Sequence, residues 1–259
     1  MNSQEIPIEH LDTHIPENTP HYSKSILDNE VKGIHVEHIA ISGEQAIVES
    51  YDNGIRTIYL FIKGSGKAEA EAEKKTYELV PESIFLPNAV EKFSIKSVGG
   101  EKLHFLKISC RLSDQDQKNL AELPIENTQG VYFAKFSDCQ SYSEAIKSPN
   151  TVSRTILSNE YIPRIAMGTV QTKGPDQVAA HKHPMLEQLF LGLSGNECIV
   201  YADDHQVAFP PLSLLHIPLG SNHSVSVEED EIMYYVWMDF FLDQAGERWL
   251  ETHKANMDA

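Results

Sequence analysis

Cysteine is scarce in this chain: Cys110, Cys139 and Cys198 are the only three among 259 residues. Their number is odd, their spacings are wide and no CxxC pair occurs, which excludes a disulfide framework. Cys198 lies in an apolar run and reads as a packed residue. Positive charge is short too, with 21 Lys and Arg against 38 Asp and Glu and a net charge of −17. Such a chain repels phosphate backbones, so nucleic acid is not an expected partner. There is no basic run or basic amphipathic helix to hold an anionic membrane. No apolar stretch approaches the roughly 20 residues of a membrane helix. Met1–Pro20 is polar and lacks the apolar centre of a secretory signal, so the expected location is cytoplasmic. Also missing are a G-x-S-x-G elbow, a Walker motif, a dinucleotide-binding glycine motif and a helix-turn-helix, which leaves no support for a nucleophilic serine, an organic cofactor or a DNA reader. Helical periodicity is confined to Asp114–Leu123 and Asp243–Ala255.

Short alternating or apolar runs are abundant. Thr57–Ile62, Ser83–Leu86, Leu103–Ile108, Leu189–Leu193, Leu212–Ile217 and Met233–Phe241 are separated by Gly, Pro, Asn and Asp, the spacing of an all-β sandwich or barrel. A repeat underlies them. Tyr59-Leu60-Phe61-Ile62-Lys63-Gly64 matches Phe190-Leu191-Gly192-Leu193-Ser194-Gly195, and Ile84-Phe85-Leu86-Pro87 matches Leu215-His216-Ile217-Pro218, both at an offset of 131. The expected layout is an arm (1–28), a first barrel (29–112), a linker with a short helix (113–150), a second barrel (151–243) and a helical tail (244–259). The run Ala68–Lys75 has helix-forming composition, but the repeat sets it opposite Ile199–Gln206. A hairpin with one small buried face is therefore the preferred reading.

Chemistry concentrates in the second half. His181 and His183 stand two apart on an expected strand, so both imidazoles point one way. Pro218-Leu219-Gly220 shapes a turn that delivers a third imidazole, His223. Neutral imidazole is a common ligand of divalent transition metals. These phrases resemble the two signature motifs of the cupin superfamily: Gly, five spacers, His-x-His, three or four spacers, Glu, six spacers, Gly; and a second motif ending in Pro-x-Gly-x-x-His. Pro218–His223 fits the second ending without a gap. Gly174 is one residue too distant in the first, Leu212 stands where a Gly is expected, and Val227 stands where an Asn often follows. The resemblance implies two tandem cupin-like β-barrels (jelly rolls), a dimer, and one Fe, Mn, Ni or Zn ion per chain.

The fourth ligand implied by the resemblance is Gln188 or Glu187. Glu187 fits the three-spacer count from His183. Gln188 fits the four-spacer count and alone is separated from Gly195 by six spacers, so it is preferred. Some cupins pair three His with a Gln, among them uronate-linearising cupins and a bicupin isomerase of bacilysin biosynthesis, which act on small oxygen-rich acids. Three imidazoles and an amide leave a divalent ion at about +2, suited to carboxylate or enolate oxygens, whereas a Glu ligand lowers it to about +1 and suits iron–oxygen chemistry. The expectation is a metal-dependent enzyme that isomerises, opens or eliminates from a small sugar acid or oxo acid. A dioxygenase and a non-catalytic sensing module are the competing readings. Glu187, Tyr235 and Asp239 are candidate proton-transfer groups, and Arg164 and Trp237 candidate substrate contacts. His216 reads as a packing residue. In the first half the offset turns His181, His183, Gln188 and His223 into Ser50, Asp52, Thr57 and Lys92, so no metal is expected there.

Overall fold

The computed structural model describes residues 5–43, 45–71 and 74–248. Its strands are β1 (Ile8–His10), β2 (His21–Ser25), β3 (Ile34–Ile41), β4 (Ala46–Ser50), β5 (Ile55–Lys63), β6 (Gly66–Ala70), β7 (Lys75–Leu79), β8 (Ser83–Leu86), β9 (Lys92–Ser97), β10 (Leu103–Arg111), β11 (Tyr132–Lys135), β12 (Ser141–Tyr142), β13 (Val152–Leu157), β14 (Ile165–Lys173), β15 (Asp176–Lys182), β16 (Leu186–Gly192), β17 (Cys198–Ala202), β18 (His205–Phe209), β19 (Ser213–Ile217), β20 (Asn222–Val227) and β21 (Ile232–Phe241). Helices α1 (Asp114–Glu122) and α2 (Ile125–Thr128) follow β10. Among the described residues no helix is long and apolar enough to cross a membrane.

Two compact units result. The first holds Leu11–Asp138 with Glu160–Ile162; the second joins the N-terminal segment up to His10 with Cys139–Asn159 and the chain from Pro163 onward. Each is a two-sheet antiparallel barrel with one core. In the first, the sheet β11-β8-β5-β10-β3-β2 packs on β4-β9-β6-β7; in the second, β1-β19-β16-β21-β14-β13-β12 packs on β15-β20-β17-β18. Strands β2 to β10 correspond in order, and in every sheet neighbour, to β13 to β21. The repeat seen in two phrases therefore runs through nine strands.

Alternation decides the disputed hairpin. In β6, Gly66, Ala68 and Ala70 are buried while Lys67 and Glu69 are exposed. The helix propensity of this run is overridden because its small faces cover an aromatic interior. There Tyr59, Phe85, Phe93 and Phe105 pack with ring centroids 5.6–6.1 Å apart. In the second barrel the interior is filled by Val170, Phe190, Val200, Phe209, Val225 and Tyr235.

The expected layout needs correction at its edges. Of the expected arm (1–28), residues 5–28 are not separate, because β1 pairs with β19, Ile8 opposite Leu215, and β2 pairs with β3. Residues 113–150 are more than a linker: β11 pairs with β8 and β12 with β13. These edge strands have two to five residues, too few for an alternating pattern to register. Of the expected helical tail, residues 244–248 are helical and 249–259 lie outside the described residues.

Candidate metal centre

His181, His183 and His223 converge: one ring nitrogen from each lies within 4.8 Å of the others. Two pieces of local structure bring this about. His181 and His223 are direct partners across the β15–β20 ladder, next to a bulge after Val178. The Pro218–Ser221 turn is closed by Ser221 N donating to the Pro218 carbonyl at 3.1 Å, with Gly220 at φ 74°, and His223 is the first inward residue of β20. Metal–nitrogen bonds of about 2.1 Å in a tetrahedral shell set donor atoms ~3.4 Å apart, so the rings need close by at most about 1.4 Å.

Tautomers are set by the backbone. His181 Nδ1 donates to the Ala179 carbonyl at 2.7 Å and His223 Nδ1 to the Ser221 carbonyl at 3.4 Å. A carbonyl can only accept, so Nε2 of each ring keeps its lone pair. His223 Nε2 is buried with no hydrogen-bond partner. Burial, then repulsion from His181 and His183, holds the His223 pKa well below its usual value. His223 is thus held as a neutral nitrogen donor, and His181 turns its Nε2 away from the backbone carbonyl.

Gln188 and Glu187 part company. Gln188 is buried and lines the same cavity as the three histidines. Its Nε2 donates to Asp239 Oδ1 at 2.8 Å, and its Oε1 is buried with no partner. A carboxylate accepts only, so Asp239 fixes the amide with its oxygen on the other side. Glu187 projects from the opposite face of β16 and contacts His216 Nε2 at 2.9 Å. It does not line the histidine cavity, which corrects its expected place as ligand or base; strand alternation is the reason. Orphaned lone pairs on His223 Nε2 and Gln188 Oε1, with two further imidazoles, fit a divalent metal ion.

The remaining candidates divide as well. Tyr235 lines the cavity but is fully buried, packed on Phe190 at 4.9 Å and Phe209 at 6.0 Å between centroids. Burial pushes its phenol pKa well above normal. Trp237 lines the cavity, and its ring lies on Gly168, where a Cβ would sit 2.3 Å from Cζ2. Arg164 is not at the site: its Nη1 donates to the Phe241 carbonyl at 2.6 Å and its backbone N to Glu247, closing the end of β14. Sequence reasoning missed Tyr142, Glu144 and Lys147, which line the cavity. Lys147 is almost wholly buried, forms an ion pair with Glu144, donates to Ser153 Oγ at 3.0 Å and lies over the Tyr142 ring. Their segment is fastened to β15 by the Lys147–Val178 bridge, by Ala179 N donating to Ile146 O at 2.8 Å and by Ser148 Oγ donating to Asp176 at 2.6 Å. It lies outside the repeat, so no periodic signal points to it.

In the first barrel the ladders shift two of the four expected equivalences. His181 pairs with His223, which pairs with Ala202; Glu49 pairs with Phe93, which pairs with Ala70. The counterparts of His181 and His223 are therefore Glu49 and Phe93, not Ser50 and Lys92. Thr57 stays opposite Ser109 as Gln188 stays opposite Asp239.

No family model matches the chain, and no curated protein matches it. Solved structures do. The Escherichia coli protein Ylba superposes with a TM-score of 0.67 at 12% identity over 91% of this chain and 90% of that one. A cupin 2 conserved barrel domain protein from Leptotrichia buccalis gives 0.58 at 14% over 93% and 92%. A formate complex of Lactobacillus farciminis oxalate decarboxylase gives 0.64 at 12% over 97% and 91%. The fold is that of the cupin jelly rolls, present twice.

Proposed function

We propose that the second barrel is a metal-dependent enzyme site for a short 2-oxo or 2-hydroxy acid, working by proton transfer and Lewis-acid polarisation. The observation that carries this is the amide of Gln188, held by Asp239 beside three imidazoles. His181, His183, His223 and Gln188 would hold the ion without a carboxylate, and an ion so held keeps about its full +2 charge and polarises a carbonyl or hydroxyl oxygen. Adding Lys147 and subtracting Glu144 and Asp239 leaves the cavity at about +1, matched to a monoanionic substrate. The Lys147 ammonium holds the substrate carboxylate. Glu144, released from its ion pair by that contact, takes a proton from the substrate carbon or hydroxyl and returns it. Asp239 acts as a positioning residue for Gln188. Trp237 and Tyr235 form the wall that excludes water. A cavity of ≈80 Å³ favours an oxo acid of a few heavy atoms over a whole uronate.

Elemental analysis of purified protein tests the ion: about one metal per chain is expected in wild type and a near-complete loss in His223→Ala. Equal metal in both removes the site. Anaerobic, zinc-loaded protein given short oxo and hydroxy acids in D2O is expected to exchange deuterium into substrate, read by NMR, and Glu144→Gln to lose that exchange while keeping its metal. Oxygen uptake with Fe(II) and no anaerobic exchange would instead establish a dioxygenase, and saturable binding without turnover a sensor.

A further inference from the structure

The first barrel is not filled at the place where the second carries its histidines. A cavity of ≈150 Å³ opens there, nearly twice the ≈80 Å³ beside the histidines. A barrel kept only as a support gains by closing such a space with apolar side chains. Its walls instead present Lys107, Glu49, Thr57, Ser109, Asp52 and Asn88. Lys107 and Ser109 are alternate residues of β10 and share a face, and Thr57 on β5 is the direct partner of Ser109. Lys107 contacts Glu49 Oε1, and the Tyr59 hydroxyl donates to Glu49 Oε2 at 2.8 Å. Glu49 is thereby fixed from both oxygens, while the three-proton ammonium of Lys107 has this one partner among the described residues. Asn88 is 5% exposed. Its Nδ2 donates to the Asn127 and Gly130 carbonyls at 3.0 and 2.6 Å, which orients the amide, and its Oδ1 is buried with no hydrogen-bond partner.

We infer that this cavity binds a small zwitterion of the α-amino acid type, with no metal. Lys107, Thr57 and Ser109 offer donors to a carboxylate. Asn88 Oδ1 and the Asp52 carboxylate offer acceptors to an ammonium. The charge balance selects between ligand classes. Glu49 and Asp52 against Lys107 leave the cavity at about −1, which disfavours a simple anion. A simple amine adds no acceptor for the two protons of the Lys107 ammonium that Glu49 does not take. A zwitterion satisfies both ends. A space of about 150 Å³ holds a six-carbon ring, so the fitting ligands have about five to eight heavy atoms. The first barrel then supplies a second specificity to the chain, independent of the chemistry in the second.

Calorimetric titration of the full chain with glycine, L-alanine and L-serine tests this, in wild type and in His223→Ala. Saturable binding of one amino acid per chain is expected in both proteins, with propionate and ethylamine at least tenfold weaker. Lys107→Met is expected to weaken binding at least tenfold. Ser109→Leu, which fills the cavity with apolar volume, is expected to abolish binding without lowering the unfolding midpoint, so loss of binding is separable from loss of fold. The inference is overturned if none of the three amino acids binds, or if binding survives both Lys107→Met and Ser109→Leu. Propionate binding as tightly as alanine overturns the zwitterion assignment. Loss of binding in His223→Ala alone overturns the assignment to the first barrel.

Discussion

Gln188 and Glu187 are neighbours on one strand and finish on opposite faces of it, so a single step in register separates two chemistries. Counting back from Gly195 selects Gln188 because that glycine (φ 77°) fixes the turn that ends the strand. Counting forward from His183 crosses the loop after β15, where spacing carries no register. Gln188→Ala is expected to lose most bound metal and Glu187→Ala to retain it, by elemental analysis; the reverse result would move the ligand to the other face. Asp239→Ala removes the acceptor that orients the amide, and a fall of about 10–100-fold in metal affinity is expected from the loss of such an outer contact. The convergence of the three histidines was legible from their spacing together with the motif resemblance. Lys147 and Glu144 were not, because they approach the cavity from a segment with no periodic pattern, and Arg164 misled because a cation ahead of a motif strand reads the same whether it meets a ligand or a carbonyl.

Elements were legible in proportion to their length. The nine-strand repeat survives in two short phrases because Gly64 and Gly195 hold matching turns, at φ 79° and 77°. Single-residue differences inside the repeat were lost. The extra residue ahead of β9 moves the inward position from Lys92 to Phe93, a shift that the alternation of Phe93 and Ile95 against Ser94 and Lys96 could have revealed. The wall of the second cavity depends on a similar detail: Gly168 on β14 leaves room for the Trp237 ring on β21. A methyl group there would meet Trp237 Cζ2 at 2.3 Å and the Arg154 carbonyl at 2.5 Å, and the carbonyl belongs to a paired strand that cannot retreat. Gly168→Ala is therefore expected to cost about 1–3 kcal/mol, seen as a lower unfolding midpoint, and to change indole fluorescence in a protein whose Trp249 has been replaced by Phe. An unchanged midpoint and spectrum would mean that the ring has another resting place.

At the scale of the whole molecule, acid sensitivity should arise in the unit that does not hold the candidate site. His38 and His104 are buried in the first unit with Nε2 and Nδ1 3.2 Å apart, so one nitrogen donates and the other accepts. Burial lowers the pKa of each to about 4, and for His104 the neighbouring His38 adds to the effect. Both titrate near 6.5 in an unfolded chain. Between those values the unfolded chain binds more protons, so the stability is fully present above about pH 6.5 and is lost as pH falls toward 4. Each ring contributes on the order of 3 kcal/mol, less what the pair shares. Scanning calorimetry is expected to show a falling midpoint from pH 7 to pH 5, with a flatter profile in His38→Phe/His104→Leu; parallel profiles would place the sensitivity elsewhere. The closing strand of the second barrel carries a further consequence, one of timing. β1 leaves the ribosome about 200 residues ahead of its partner β19, an interval of roughly 10–40 s at ordinary rates of synthesis. The first barrel has its own closing strand, β11, and can finish within that interval, while the second must wait for its earliest piece to be gathered in last. Two widely separated stretches of the nascent chain, β1 and β19, are thus joined in one sheet only late in synthesis.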